Sequence, residues 1–197
     1  MRPDPTLLAF DTSAAHCAAA LLIAGKIHTR IDEMARGQAE HLIPMLEEVL
    51  AAHGLAWRDL DAIGVGTGPG NFTGIRISVA AARGLALGLG IPAVGVSNFD
   101  AAAYGLPRPL DVLIPAPRDQ AYAQRLTETG TDAPRLLAPE DARPEAPALP
   151  LPAEEMIANI ARIAAERFAT ETARPAPLYV RAADAAPSRD APPVILP

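Results

Sequence analysis

The chain has 197 residues, half of them hydrophobic but only 4% aromatic, and a formal net charge of −6. That length allows one domain or two small ones around a core of Ala, Leu, Val and Ile, and the acidic balance argues against nucleic-acid binding by this chain alone, because cationic contacts to phosphate supply most non-specific affinity. A single cysteine, Cys17, excludes an internal disulfide and fits a reducing compartment. The opening stretch MRPDPTLLAFDTS has neither a long apolar core nor a cleavage pattern, so no signal peptide and a cytoplasmic location are expected.

Residues 6–10, 17–23 and 27–31 read as three strands joined by short turns, an antiparallel meander. The first turn is Asp11-Thr12-Ser13. An acidic residue at a strand end followed by two hydroxyls resembles the first phosphate loop of the actin-like ATPases, where the carboxylate orients a metal-bound water. A turn whose side chains satisfy backbone donors explains it equally. A triad of Asp11, Ser13 and His16 is not expected, since neighbours on one hairpin rarely meet that geometry. Residues 38–53 form the clearest helix: Leu42, Met45, Leu46, Val49 and Leu50 recur at helical spacing, Pro44 lies near its start, and Gly54 stops it. No two of the four histidines stand four apart, and no metal site is predicted.

Residues 62–97 carry the central unit. An apolar run at 63–66 suits a buried strand, the turn Gly66-Thr67-Gly68-Pro69-Gly70-Asn71 excludes regular structure, and Thr73 can cap a helix ending near Gly88. A second apolar run at 93–96 completes a strand–helix–strand crossover between parallel strands. The glycine spacing fails both phosphate-loop tests: Gly74 is followed by Ile75 and Arg76, not Lys and Ser or Thr, and the dinucleotide pattern would place its last glycine at Pro69 or Asn71. Gly68, Gly70, Thr73 and Gly74 therefore read as a structural turn. In the helix, Ala80, Gly84 and Gly88 fall four apart, leaving one face nearly bare beside an apolar stripe of Ile75, Val79, Ala82 and Ala86. Close packing in the chain's own core and a partner surface account for that face equally well. Arg76, Arg83 and Pro92 argue against a membrane span.

A short helix at 99–104, capped by Ser97 or Asn98, closes this half. From Pro107 the composition changes, with ten of the 21 prolines between Pro107 and Pro152. Strands are expected at 111–114 and 122–126, an irregular linker at 129–152, a helix at 153–172, a last strand at 178–180 and a mobile tail at 185–197. The domains are thus drawn as 1–105 and a reduced second domain, 106–184.

The segment GTGPGNFTGIRISVAAARGLA, with LAFDTSAAHCAAAL before it, EHLIPMLEEVL between and PLYVR near the end, resembles the TsaB family, the bacterial subunit needed to make threonylcarbamoyladenosine in tRNA and once labelled a glycoprotease homologue. The resemblance implies an α/β, actin-like ATPase (ASKHA, ribonuclease H-like) fold: a mixed sheet flanked by helices, with a shortened second domain. It implies a non-catalytic subunit that binds a TsaD-type catalytic homologue through first-domain helices. The residues expected there are Leu42, Met45, Leu46, Val49, Ile75, Arg76, Val79, Ala80, Arg83 and Gly84. It also implies a TsaE-type ATPase in the assembly, tRNA contacts made mainly by partners, and self-association through the same surface when the chain is alone. Asp11, Thr12 and Ser13 become a vestigial phosphate loop with no cofactor of its own, any ATP or ADP lying at the complex interface. Where relatives carry an Asp-Ala-Arg element this chain has Pro115-Ala116-Pro117. Two competing classes are an independent actin-like ATPase or kinase using Asp11 as base, and a peptidase, for which no nucleophile or metal site is visible.

Overall fold

A computed structural model describes residues 5–180. Strands β1 (Leu7–Asp11), β2 (His16–Ile23) and β3 (Lys26–Glu33) form the expected antiparallel meander, followed by helix α1 (Gln38–Ala52) and a single 3-10 turn at Trp57–Asp59. Strand β4 (Ala62–Gly66), helix α2 (Phe72–Leu89) and strand β5 (Ala93–Val96) make the crossover, with β4 parallel to both β1 and β5. The sheet order β3-β2-β1-β4-β5 is that of an actin-like, ribonuclease H-like domain. Then come α3 (Asn98–Ala102), β6 (Leu110–Pro115), β7 (Ala121–Leu126), β8 (Arg135–Leu137) and α4 (Ala153–Arg167), the last three strands forming a separate antiparallel sheet.

Strand alternation divides the first sheet between two helical layers. Leu8, Phe10, Leu21, Ile63 and Val65 point to α1 and α2, while Leu7, Ala9, Ala18, Ala20, Val94 and Val96 point to α4. Gly64 is what lets α4 come close: a Cβ there would lie 2.9 Å from the Ala164 Cβ and 3.1 Å from that of Ala9. The sequence reading groups α4 with the second domain, but its stripe of Ile157, Ile160, Ala161 and Ala164 is buried on the first sheet. An apolar stripe follows the largest apolar face in reach, not chain order.

Four further expectations change. The cap of α2 is Asn71, whose Oδ1 accepts from the Gly74 N–H at 2.9 Å, and Thr73 lies exposed in the first turn. The 129–152 stretch is not wholly irregular, since β8 pairs with β7, and Ala148 bridges to Val112. Helix α4 ends at Arg167, short of 172. Residues 178–180 form no strand, although the Leu178 N–H donates to the Thr67 carbonyl at 2.8 Å. The tail at 185–197 and the end of the 106–184 domain lie outside the described residues.

Candidate functional site

Two places combine the sequence signals: the outer face of α1 and α2, and the turn at Asp11. Leu42, Met45, Leu46, Val49, Ile75 and Val79 are all buried in the chain's own core. The reading that aims them at a partner is corrected on this point: helical spacing identifies a stripe that must be covered, and here the sheet covers it. Arg76, Ala80, Arg83 and Gly84 do face outward. With them stand Phe72, Gly88 and Leu87, the last 82% exposed, and the half-buried Ile77 and Ala81. From α1, Pro44 and Glu47 are exposed and Ile43 is half-buried.

The bare face is open. A Cβ built at Gly84 or Gly88 meets no atom within 4 Å. Close packing among the described residues therefore does not explain these small residues. The guanidinium of Arg76 lies 4.5 Å from the centre of the Phe72 ring, which also stacks at 4.9 Å on Tyr179. Ile77 and Leu87 were legible by counting the helical period outward from Gly84; Phe72 and Tyr179 were not. Among the described residues α2 is also the one helix long and apolar enough to cross a membrane by length and composition. Its inner stripe is spent on the sheet, and the remaining apolar residues lie on the outer face.

At the other place, the glycine motif closes on the Asp11 turn. The Thr12 hydroxyl donates to the Gly74 carbonyl at 2.6 Å, and the Asn71 N–H donates to the Ser13 carbonyl at 2.7 Å. A Cβ at Gly70 or Gly74 would run into the Ser13 or Thr12 carbonyl, and Gly68 adopts a positive φ of 89°. Asn98 ties the two loops, its Nδ2 donating to Ser13 Oγ at 3.1 Å and to the Pro69 carbonyl at 2.9 Å. Ser13 donates both its N–H (3.0 Å) and its hydroxyl (2.7 Å) to Asp11 Oδ2, and His16 Nε2 lies 3.6 Å from the same oxygen. Asp11 Oδ1 is buried, with no hydrogen-bond partner among the described residues.

A cavity of about 320 Å³ opens beside this turn, walled by Ile114, Pro115, Leu151, Met156, Ile157 and Ile160. The actin-like fold implies a nucleotide here, and the donor set does not fit one. The N–H groups of Ser13, Asn71 and Gly74 are already taken inside the chain, and among the described residues no Lys or Arg lines the cavity. Pro115 is part of the wall. Nor is this a hydrolytic triad. Asp11, Ser13 and His16 are close together, but the carboxylate lies in the middle: the serine hydroxyl donates to Asp11, and the imidazole of His16 faces the same carboxylate oxygen instead of the serine.

Burial, with Asp32 and Asp11 adding, pushes the Cys17 thiol up to about 11, which removes it as a nucleophile at neutral pH. Hydrogen bonds from Arg30, seconded by His41, hold the Asp32 carboxyl below its usual range. No group of three His, Cys, Asp or Glu side chains that could hold a metal ion is found among the described residues.

Known proteins resemble the chain at several levels. A family model described as TsaD, tRNA N6-adenosine threonylcarbamoyltransferase, matches residues 25–185. The Haemophilus influenzae tRNA threonylcarbamoyladenosine biosynthesis protein TsaB is 44% identical over 99 residues, half of this chain and 42% of that protein. The chain thus matches less than half the length of that curated relative. An uncharacterized protein of Mycobacterium tuberculosis is 33% identical over 202 residues, covering 92% of this chain and 94% of that one. A solved Pseudomonas aeruginosa structure, described as an uncharacterized protein with similarity to peptidase YEAZ, superposes with a TM-score of 0.71 at 29% identity, over 90% of this chain and all of the other. The chain belongs to the family that the TsaD model describes, on its TsaB (YeaZ-type) side.

Proposed function

We propose that this chain is the non-catalytic subunit that binds and supports a TsaD-type catalytic homologue in threonylcarbamoyl transfer to the adenosine next to the anticodon of tRNA, in the cytoplasm. The observation that carries the reading is the open face of α2: Ala80, Gly84, Leu87 and Gly88 form a shallow exposed strip, and among the described residues no atom lies within 4 Å of a Cβ built at Gly84 or Gly88. A helix of another subunit can approach such a strip closely. The pathway follows from the names of the TsaB relatives. The TsaD-type family match supports the partner class, because homologous folds can present matching helical layers to one another.

In this reading the same face forms a homodimer when the chain is alone, a TsaE-type ATPase joins the assembly, tRNA is held mainly by the partners, and any ATP or ADP lies at the subunit interface. The N–H groups of Ser13, Asn71 and Gly74, bonded within the chain, and the carboxylate-centred Ser13 support a chain without an active site of its own. The independent ATPase and the peptidase of the older label are the competing readings. Reconstitution tests all three: tRNA modification by the TsaD-type and TsaE-type proteins of the same genome should require this chain. Tight binding of Mg-ATP by the isolated chain, or peptide hydrolysis by it, would displace the proposal.

A further inference from the structure

The open strip on α2 has a charge pattern as well as a shape. Helix α2 carries Arg76 and Arg83 and no Asp or Glu, in a chain whose net charge is −6. Both arginines are exposed, and among the described residues neither pairs with a carboxylate. They stand seven residues apart, so they share a face with about 10 Å between them. The helical period sets them along one edge of Ala80, Gly84 and Leu87, with the half-buried Ile77 and Ala81 along the other. Arg83 also lines a groove of about 530 Å³ beside the C-terminal half of α2, together with Arg174 and Glu171. Neither arginine pairs with Glu171, which accepts the Ala173 N–H at 2.8 Å.

This pattern discriminates between occupants. A second copy's α2 laid along the strip would bring like charges together, which disfavours the contact. RNA phosphates would suit the arginines but not the neighbouring apolar surface of Phe72 and Leu87, 39% and 82% exposed, and the acidic chain as a whole repels them. A helix bearing carboxylates suits both the charge and the shallow strip. The fold shows such a row on its own α1, where Glu40 and Glu47 are exposed, also seven residues apart and without a cationic partner among the described residues. A homologous subunit packed across the strip can offer the same row at the spacing of Arg76 and Arg83.

We infer, on the partner reading above, that the helix seated on this strip belongs to a homologous subunit and carries two carboxylates two turns apart, one facing Arg76 and the other Arg83. Calorimetry of the full chain with the TsaD-type protein of its genome, at about 50 and about 500 mM NaCl, tests it. Wild-type affinity should fall about tenfold with the added salt. An R76Q/R83Q double variant should bind about tenfold more weakly at low salt and lose most of the salt dependence. An R76K/R83K double variant, which keeps both charges, should stay within about threefold of wild type. All these positions are exposed, so the variants should keep the wild-type urea midpoint. Pairing that ignores both salt and R76Q/R83Q would overturn the charge assignment and leave the partner reading standing, whereas a wild-type chain that does not pair would overturn both. Loss of self-association or of RNA binding in R76Q/R83Q, with pairing unchanged, would also overturn the assignment by giving the arginines another occupant.

Discussion

Helices α2 and α4 lie on opposite faces of one sheet and bury similar stripes, Ile75, Val79, Ala82 and Ala86 on one side, Ile157, Ile160, Ala161 and Ala164 on the other. Their outer faces differ. Helix α4 shows Glu154, Glu155, Arg162 and Glu166 to water, and it engages its own chain: Glu166 accepts from the Tyr104 hydroxyl at 2.7 Å, and Arg167 lies 3.5 Å from Asp100. The outer face of α2 carries Ala80, Gly84, Leu87 and Gly88, with only Arg76 and Arg83 for charge. One helix is finished by its own domain. Among the described residues the other is finished on one side only, and the proposed partner would complete it.

The comparison can be broken most forcefully from inside. Val79→Arg and Ala161→Arg each bury an unpaired charge in one layer, and each should cost more than about 3 kcal/mol, read from urea denaturation. Tolerance at Val79 would mean that α2 is not seated on the sheet as described. A smaller effect sharpens the contrast at the helix starts. Asn71→Ala removes the side-chain cap of α2 and should cost about 1 kcal/mol, whereas α4 begins at Pro152 with no such bond to lose.

The smallest effect is on pH dependence. Arg30 donates to Asp32 at 2.9 and 3.0 Å, and His41 lies 2.6 Å away, so the folded carboxyl titrates below its unfolded value near 4. Stability from this network is present above that value and is lost as the pH falls through the folded one. Asp32→Asn should therefore flatten the acid limb of a stability–pH curve, by less than about 1 kcal/mol because the pair is partly exposed. A stability loss confined to alkaline pH would contradict the assignment.

Local signals were readable. The alternation in β1 and β2, the stripe of α1 and the glycine turn before α2 each depend on residues within one or two turns of chain, and they lie where expected. What the chain conceals is which neighbour covers a stripe. Leu42 and Val79 look equally fit for a partner or a sheet, and only the position of β1 and β4 beneath them decides. The return of α4 to the first sheet rests on Gly64 meeting Ala164, a hundred residues away in sequence. Strand β8 escaped because three residues between Pro134 and Pro139 carry too little pattern, and its reason to be extended is β7. Asn71 and Thr73 both have the chemistry of a cap; the two-residue difference depends on Ser13 holding Asn71 in place. Asp11, Ser13 and His16 were identifiable as polar residues, but their arrangement around a shared carboxylate oxygen was not.

The most direct measurement is the affinity of this chain for the TsaD-type protein of its own genome, wild type against Gly84→Arg. The substitution points into open space, so the variant should keep the wild-type urea midpoint. An arginine in the middle of a closely packed helical contact should weaken the pair at least a hundredfold, about 3 kcal/mol. Undiminished pairing by a folded Gly84→Arg chain would contradict the account, and so would a wild-type chain that does not pair at all.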